Sequence, residues 1–300
     1  MPPAIDIRRR FQRLNIWRRG GERAPHKPLL VLYALGRLSQ GKYGGIPFSE
    51  VDPALRELLA EFGPPRKSQH PEYPFWRLQN DGVWKLDKTR GLTLREGHTD
   101  ARRSELLKHD VSGGFTPELD RAFREDPALI RDVVQDTLNA HFPESLHEDI
   151  LAAVGLDLRD PTRTTKTRPR DARFRASVMM AYEHRCAVCG FDVRIGRQTV
   201  ALEAAHVMWH QAGGPDEVDN GVALCSLHHK VFDLGTFTIS RRRAIEVSEQ
   251  VHGTIGLEES LLRFHGKPLR PPVNPAYAVR ERYSLWHEQE VFRGPARYHG

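Results

Sequence analysis

"LCSLHHKVFD", residues 224–233, sets a cysteine three residues ahead of a histidine and follows that histidine at once with another. Its reading decides the fold of the C-terminal half. A C-x-x-C pair, Cys186 and Cys189, stands about 35 residues upstream, so two short two-residue-spaced knuckles are present. Cys186, Cys189, Cys225 and His228 supply the four donors that a tetrahedral structural zinc takes. The alternative is three reduced core cysteines beside an incidental histidine. An odd cysteine count in an intracellular chain makes no disulfide framework. If 228–234 opens a helix, successive side chains diverge by about 100°, so His229 points away from the ion that His228 holds. Asp233 lies four residues on from His229, on the same face. That pair forms half a shell for a second, catalytic divalent ion.

Outward from this stretch, the groups suited to metal and acid–base work continue upstream as Glu203, His206, His210 and Asn220, with a turn-rich loop, "GGPDEVDNG", at 213–221. "TVALEAAHV" (199–207) reads as a strand ending in His206. A helix is expected over 172–183, a strand pair over 236–240 and 244–248, and a terminal helix within "YSLWHEQEVF". The spaced His206, Asn220 and His229 inside a zinc frame resemble the HNH nucleases of the ββα-metal class, over roughly residues 173–250. The resemblance implies a β-hairpin plus helix, with His206 as the general base that activates water. Asn220 would hold the loop and orient His206, and His229 would bind a catalytic Mg²⁺, Mn²⁺ or similar ion. The chemistry agrees: hydrolysis of a phosphodiester needs a base near neutral pH and a cation beside the leaving oxygen. The chain departs from the family at Ala205, where many members place a further metal ligand. Asp233 is the better second ligand. Glu203 is the lesser candidate, since three residues along a strand it faces away from His206. His210 reads as an ordinary surface histidine.

The rest of the 300-residue chain suggests two domains. Lys plus Arg number 45 against 39 Asp plus Glu, 45 − 39 = +6, with a pI near 9.3. Arginine-rich runs at 8–23 and 159–175 suit a polyanion or a solvated surface. The N-terminus "MPPAIDIRRRFQRLNIWRRG" lacks the apolar core of a secretory signal. No apolar run approaches the ~18–20 residues of a membrane span, so a soluble, cytoplasmic protein is expected. Residues 28–38 read as a buried helix with Pro28 in its first turn. Residues 53–62 read as a helix capped by Ser49 or Asp52. Helices are also expected over 99–108, 117–124, 127–140 and 145–153. Residues 75–86 read as a hairpin, with strands at 75–78 and 83–86 about an Asn80-Asp81-Gly82 turn. The polar, basic 157–171 reads as a linker, dividing a domain at 1–156 from one at 172–300.

"RAPHKPLLVLYAL" (23–35), "HPEYPFWRLQNDGVW" (70–84) and "RRSELLKHDVSGGF" (102–115) resemble the sulfur-binding domain of phosphorothioate-dependent McrA-type restriction endonucleases, over about residues 8–150. In that family the domain precedes an HNH module, the order found here. The resemblance implies an α+β protein of two domains: a mixed α/β DNA-reading domain and a zinc-braced ββα-metal nuclease domain. It implies a type IV-like HNH endodeoxyribonuclease that recognises phosphorothioated duplex DNA and hydrolyses phosphodiesters nearby with one metal. A homodimer is the expected partner arrangement. Tyr73 and Pro74 offer an apolar contact for sulfur, and His26, Lys27 and Arg77 suit neighbouring phosphates or base edges. Two alternatives stay open: a nuclease reading a modified base such as methylcytosine, and a zinc-braced DNA-binding regulator without activity.

Overall fold

The computed structural model describes residues 4–17, 21–97, 99–156, 172–196 and 198–298. The chain forms two compact units, Met1–Asp160 and Pro161–Gly300. The segment expected as a linker, 157–171, lies outside the described residues, as do Arg18 and Arg19 of the N-terminal basic run. No helix among the described residues is long and apolar enough to cross a membrane.

In the first unit the helices are α1 (Ala4–Gln12), α2 (His26–Ser39), α3 (Phe48–Phe62), α4 (Glu72–Arg77), α5 (Arg103–Lys108), α6 (Pro117–Glu125), α7 (Pro127–His141) and α8 (His147–Ala153). Three short strands, β1 (Ile46–Pro47), β2 (Trp84–Asp87) and β3 (Ser112–Phe115), form an antiparallel sheet in the order β1-β3-β2. Helix α2 is apolar on nearly every side and Leu29–Leu32 are fully buried, as expected of a helix at the centre of a core. An aromatic chain continues that core. Phe48 meets Phe75 at 4.9 Å, and Trp84 meets Phe115 at 5.7 Å edge-on. Trp84 is therefore core, not a base-stacking residue.

Three expectations need correction here. The helix expected over 99–108 begins only at Arg103, with Ala101 bridged to Leu94 instead. Residues 75–86 do not form a hairpin. Glu72–Arg77 is helical, a 3-10 turn covers Leu78–Asp81, and β2 pairs instead with β3, Trp84 opposite Phe115. Pro71 and Pro74 fall at the start of α4, where the missing N–H groups have no intrahelical partner to lose. Gly82 (φ 71°) then closes the helical stretch as a left-handed C-cap instead of turning a hairpin. Helix α3 begins at Phe48, not at residue 53, so Ser49 and Asp52 lie inside it and neither caps it. The buried Asp52 carboxylate instead accepts hydrogen bonds from Arg56 (3.0 Å) and Arg103 (3.0 Å). The N-terminal arginines likewise turn to tertiary contacts. Arg8 reaches Asp132 and Asp136 of α7, and Arg10 reaches Glu118 of α6.

In the second unit, α9 (Ala172–Ala181) packs on the antiparallel hairpin of β6 (Leu202–His206) and β7 (Gly221–Cys225). A small pair, β4 (Arg194–Ile195) and β5 (Gln198–Thr199), precedes it. Helix α10 (Ser226–Asp233) follows β7 directly, completing a strand–strand–helix unit. Strands β8 (Phe237–Ile239) and β9 (Ile245–Val247) pair as expected, and α11 (Ile255–Ser260) and α12 (Glu281–Glu290) follow. Val178, Ala205, Val222, Phe232, Phe237 and Val247 form the centre of this unit's core. The molecule is thus α+β in two domains. The second holds the ββα arrangement that the resemblance to the HNH nucleases implied.

Candidate active site and DNA-contact residues

The two knuckles converge. The ligand atoms of Cys186, Cys189, Cys225 and His228 all lie within 4.8 Å of one another. Zn–S bonds of about 2.3 Å in a tetrahedron separate sulfurs by about 3.8 Å, and Sγ of Cys189 and Cys225 are 4.0 Å apart. His228 Nδ1 sits 3.1 Å from Cys225 Sγ and 3.6 Å from Cys186 Sγ. Its Nε2 donates to the Ser260 carbonyl at 2.8 Å. That bond fixes the tautomer and leaves Nδ1 for a metal, the usual outer support of a ligating histidine. Among the clustered thiols the bonds from Cys189 and Cys225 push Cys186 down, while those from Cys186 and Cys189 push Cys225 up, as expected of thiols that share protons at close range. Donor type, spacing and outer support all fit zinc.

One residue further along α10, His229 turns away into a different set. Its ring is buried between two carboxylates: Glu203 Oε2 lies 2.5 Å from Nδ1, and Asp233 Oδ2 lies 3.2 Å from Nε2. Burial depresses His229, but Asp233 and Glu203 outweigh it and raise the group to about 9. The two carboxylates are not equivalent. Asp233 is almost fully buried, and its second oxygen accepts from Trp209 Nε1 at 2.9 Å. The Glu203 side chain is 44% exposed and also accepts from Ser226 Oγ at 2.8 Å. Solvent therefore reaches the Glu203 carboxylate, while the His229 side chain itself is only 6% exposed. Strand alternation does set Glu203 away from its neighbour His206, and that same direction brings it to α10.

His206 ends β6 opposite Gly221. Its Nε2 lies 2.7 Å from Asp216 Oδ1 and its ring stacks on Phe174, with centroids 4.0 Å apart at 15°. A Cβ at residue 221 would stand 2.4 Å from Val178 Cγ2 and 3.0 Å from the Phe174 ring, so only glycine lets α9 come this close. Asn220 is fully buried and closes the loop between the strands. Its Oδ1 accepts from Met208 N at 2.8 Å, and its Nδ2 donates to the carbonyls of Met208 and Pro215, both at 3.0 Å. His210 is exposed, yet its ring stands edge-on to His206 at 6.1 Å. Asp216 and Phe174 escaped the sequence reading, since a loop residue and a helix residue give no spacing signal toward a strand-end histidine.

In the first unit, Tyr73 is the centre of a basic cluster. The His70 ring lies 5.2 Å from it, and the guanidinium carbons of Arg77 and Arg95 lie 4.8 and 5.2 Å from its ring centre. Pro74, beside it, is buried. Arg77 is held by Asp100 through two bonds of 2.7 and 2.6 Å, which lower the Asp100 pKa. The buried Glu72 carboxylate accepts from His70 (3.1 Å) and Arg95 (3.4 Å). Lys27 turns elsewhere, to Asp81 (2.5 Å) and the Asn15 carbonyl (2.8 Å). The sequence reading missed His70 and Arg95. His70 stands in a quoted stretch, but Arg95 follows 22 residues after Tyr73 in an irregular loop with no periodic signal.

His26 is lowered to about 4, chiefly by burial and then by the charges of His70 and Arg66. It is a neutral ring at pH 7. An unfolded histidine takes its proton near 6.5 and the folded one near 4. Between those values the unfolded state binds more protons, so stability is whole above pH 6.5 and falls as the pH drops toward 4. His26→Gln is expected to flatten the fall in melting temperature between pH 6.5 and 4.5. An unchanged slope by calorimetry contradicts the assignment.

Comparison with known proteins follows this division. Residues 4–159, slightly more than half of the chain, match the family described as ScoMcrA-like, DNA sulfur-binding domain. Residues 186–240 match a family described as HNH endonuclease. No curated protein matches. Among solved structures, the sulfur binding domain of ScoMcrA complexed with phosphorothioated DNA is 24% identical over 50% of this chain and 94% of that one, with a TM-score of 0.44. The sulfur binding domain of SprMcrA complexed with phosphorothioated DNA is 23% identical over 52% and 95%, with a TM-score of 0.45. The type IV phosphorothioation-dependent restriction endonuclease ScoMcrA is 22% identical over 49% of this chain and 32% of that one, with a TM-score of 0.42.

Proposed function

Because the chain belongs to the ScoMcrA-like DNA sulfur-binding domain family and carries an HNH endonuclease segment behind that domain, we propose that it is a restriction endonuclease that binds phosphorothioated duplex DNA and cuts phosphodiesters nearby. The observation behind this reading is the presence of both segments in one chain, in an order that joins recognition to hydrolysis. In this reading residues 1–156 read the DNA, the basic 157–171 joins the parts, and 172–300 cut. It works on DNA in the cytoplasm, and cutting both strands with one site per chain calls for a homodimer.

Recognition follows from the chemistry of sulfur. A non-bridging sulfur is larger, more polarisable and more cheaply desolvated than a charged oxygen. An aromatic ring suits it, and the half-buried Tyr73 supplies one, whereas Pro74, expected as its companion, is buried and offers no surface. His26 adds an uncharged wall. Arg77, already oriented by Asp100, and Lys27, if it leaves Asp81, suit the flanking phosphates. A pocket of this size discriminates by about 1–3 kcal/mol. Tyr73→Ala is therefore expected to cut the preference for sulfur-modified over plain duplex by about tenfold, with plain-duplex binding within about twofold. Equal loss on both duplexes in competition binding contradicts that role.

For hydrolysis we assign His206 as the general base, Asn220 as the residue that holds its loop, and His229 with Glu203 as the protein ligands of the catalytic cation. An imidazole and a carboxylate suit Mg²⁺ or Mn²⁺, which takes its other positions from phosphate and water. When bound, the ion offsets charge on the leaving oxygen. Asp233 then acts on the far nitrogen of His229, holding the ring so that Nδ1 faces Glu203. Glu203 thus takes the part expected of the residue at Ala205. The reading is tested by competition among sulfur-modified, methylated and plain duplexes. Preference for the first supports it, and equal binding to all three contradicts it.

A further inference from the structure

We infer that Asp216 is the positioning residue that keeps the proton of His206 on Nε2 and so makes Nδ1 the basic nitrogen. This rests on the assignment of His206 as the base.

A neutral imidazole has one lone pair in the ring plane, and the partner of the other nitrogen decides where it stands. The Asp216 carboxylate, 2.7 Å from Nε2, can only accept while ionised, so Nε2 must donate. The contact is built, not incidental. Asn220 Nδ2 holds the carbonyl of Pro215, the residue directly before Asp216, and also holds Met208 on the opposite limb of the loop. Phe174 fixes the plane of the His206 ring by stacking, and Gly221 makes room for it. Asp216 thus fixes rotation within the plane and Phe174 fixes the plane itself. The His206 side chain is 15% exposed and that of Asp216 34%, so the pair is accessible without being fully solvated.

The step this serves is balanced as follows. A water O–H bond breaks, its proton passes to His206 Nδ1, and its oxygen forms the new bond to phosphorus. The bond from phosphorus to the leaving oxygen breaks, and that oxygen takes a proton from solvent. The imidazolium left behind lies against the Asp216 carboxylate, which stabilises the charge as it forms. An orienting carboxylate on a histidine that must choose one tautomer is worth far more than a surface ion pair, because the other tautomer carries its lone pair on Nε2 and has none on Nδ1.

The test uses the full chain with Mg²⁺ or Mn²⁺ and a phosphorothioated duplex. Asp216→Ala is expected to lower kcat by about 10²-fold, in the range of lost outer supports, with KM within about twofold and zinc content unchanged. Asp216→Glu is expected to recover part of kcat. Long-range ¹H–¹⁵N spectra of histidine-labelled protein should move His206 from the Nε2–H form in the native chain to a mixture in Asp216→Ala. A kcat within about threefold of native, or the same tautomer in both, overturns the inference. The outcome is separable from the base assignment. If His206→Ala is inactive while Asp216→Ala is native-like, only the positioning role fails. If His206→Ala is fully active, both fail.

Discussion

His206→Ala is expected to lower cleavage by about 10²–10⁴-fold, the usual range for a lost general base, while duplex binding and zinc content stay at native levels. The geometry explains why the loss is confined to chemistry. His206 ends β6, its ring lies between Phe174 and Asp216, and no ligand of the zinc cluster is on its strand. The loop fold rests on Asn220, whose bonds run to Met208 and Pro215 and not through the histidine ring. Removing the imidazole therefore leaves the hairpin standing. Full activity in the variant removes His206 from the mechanism. Joint loss of activity, zinc and melting temperature would mean that the residue is structural.

Cys186→Ala is expected to fail in the opposite way, losing zinc and the folded C-terminal unit together. Structural zinc contributes about 10–16 kcal/mol in small zinc-dependent folds, against total domain stabilities of about 5–15 kcal/mol. The site joins the segment at 186–189, the end of β7 and the start of α10. In the variant, without the ion, the exposed Cys189 thiol, the buried Cys225 thiol and the buried His228 imidazole are left where the site should close. Metal analysis and circular dichroism of the variant check this. A soluble, zinc-free protein with native melting behaviour contradicts it.

What was legible in the sequence was local or periodic. Cys186, Cys189, Cys225 and His228 announce themselves by two-residue spacings, and the structure gathers them. The apolar run of α2 and the β8–β9 pair needed only composition and alternation. The failures have physical causes. Asn80-Asp81-Gly82 serves a hairpin turn or a helix end equally well, and Pro71 and Pro74 tip it to the helix. Asp52 has the chemistry of a cap, but Arg56 and Arg103 offered its buried carboxylate stronger partners. The 2.5 Å approach of Glu203 to His229 depends on how α10 crosses the hairpin, which no local pattern encodes. Arg95, His70 and Asp216 belong to sites assembled by loops, where sequence separation says nothing about proximity.

In the proposed function one chain couples recognition of phosphorothioate to hydrolysis of DNA. Digestion of matched duplexes, identical except for a single phosphorothioate, with Mg²⁺ or Mn²⁺ and mapping of the ends, tests it most directly. Defined cuts near the sulfur in the modified duplex and an intact plain duplex are expected. Equal cleavage of both, or cleavage of neither under any of these conditions, contradicts it.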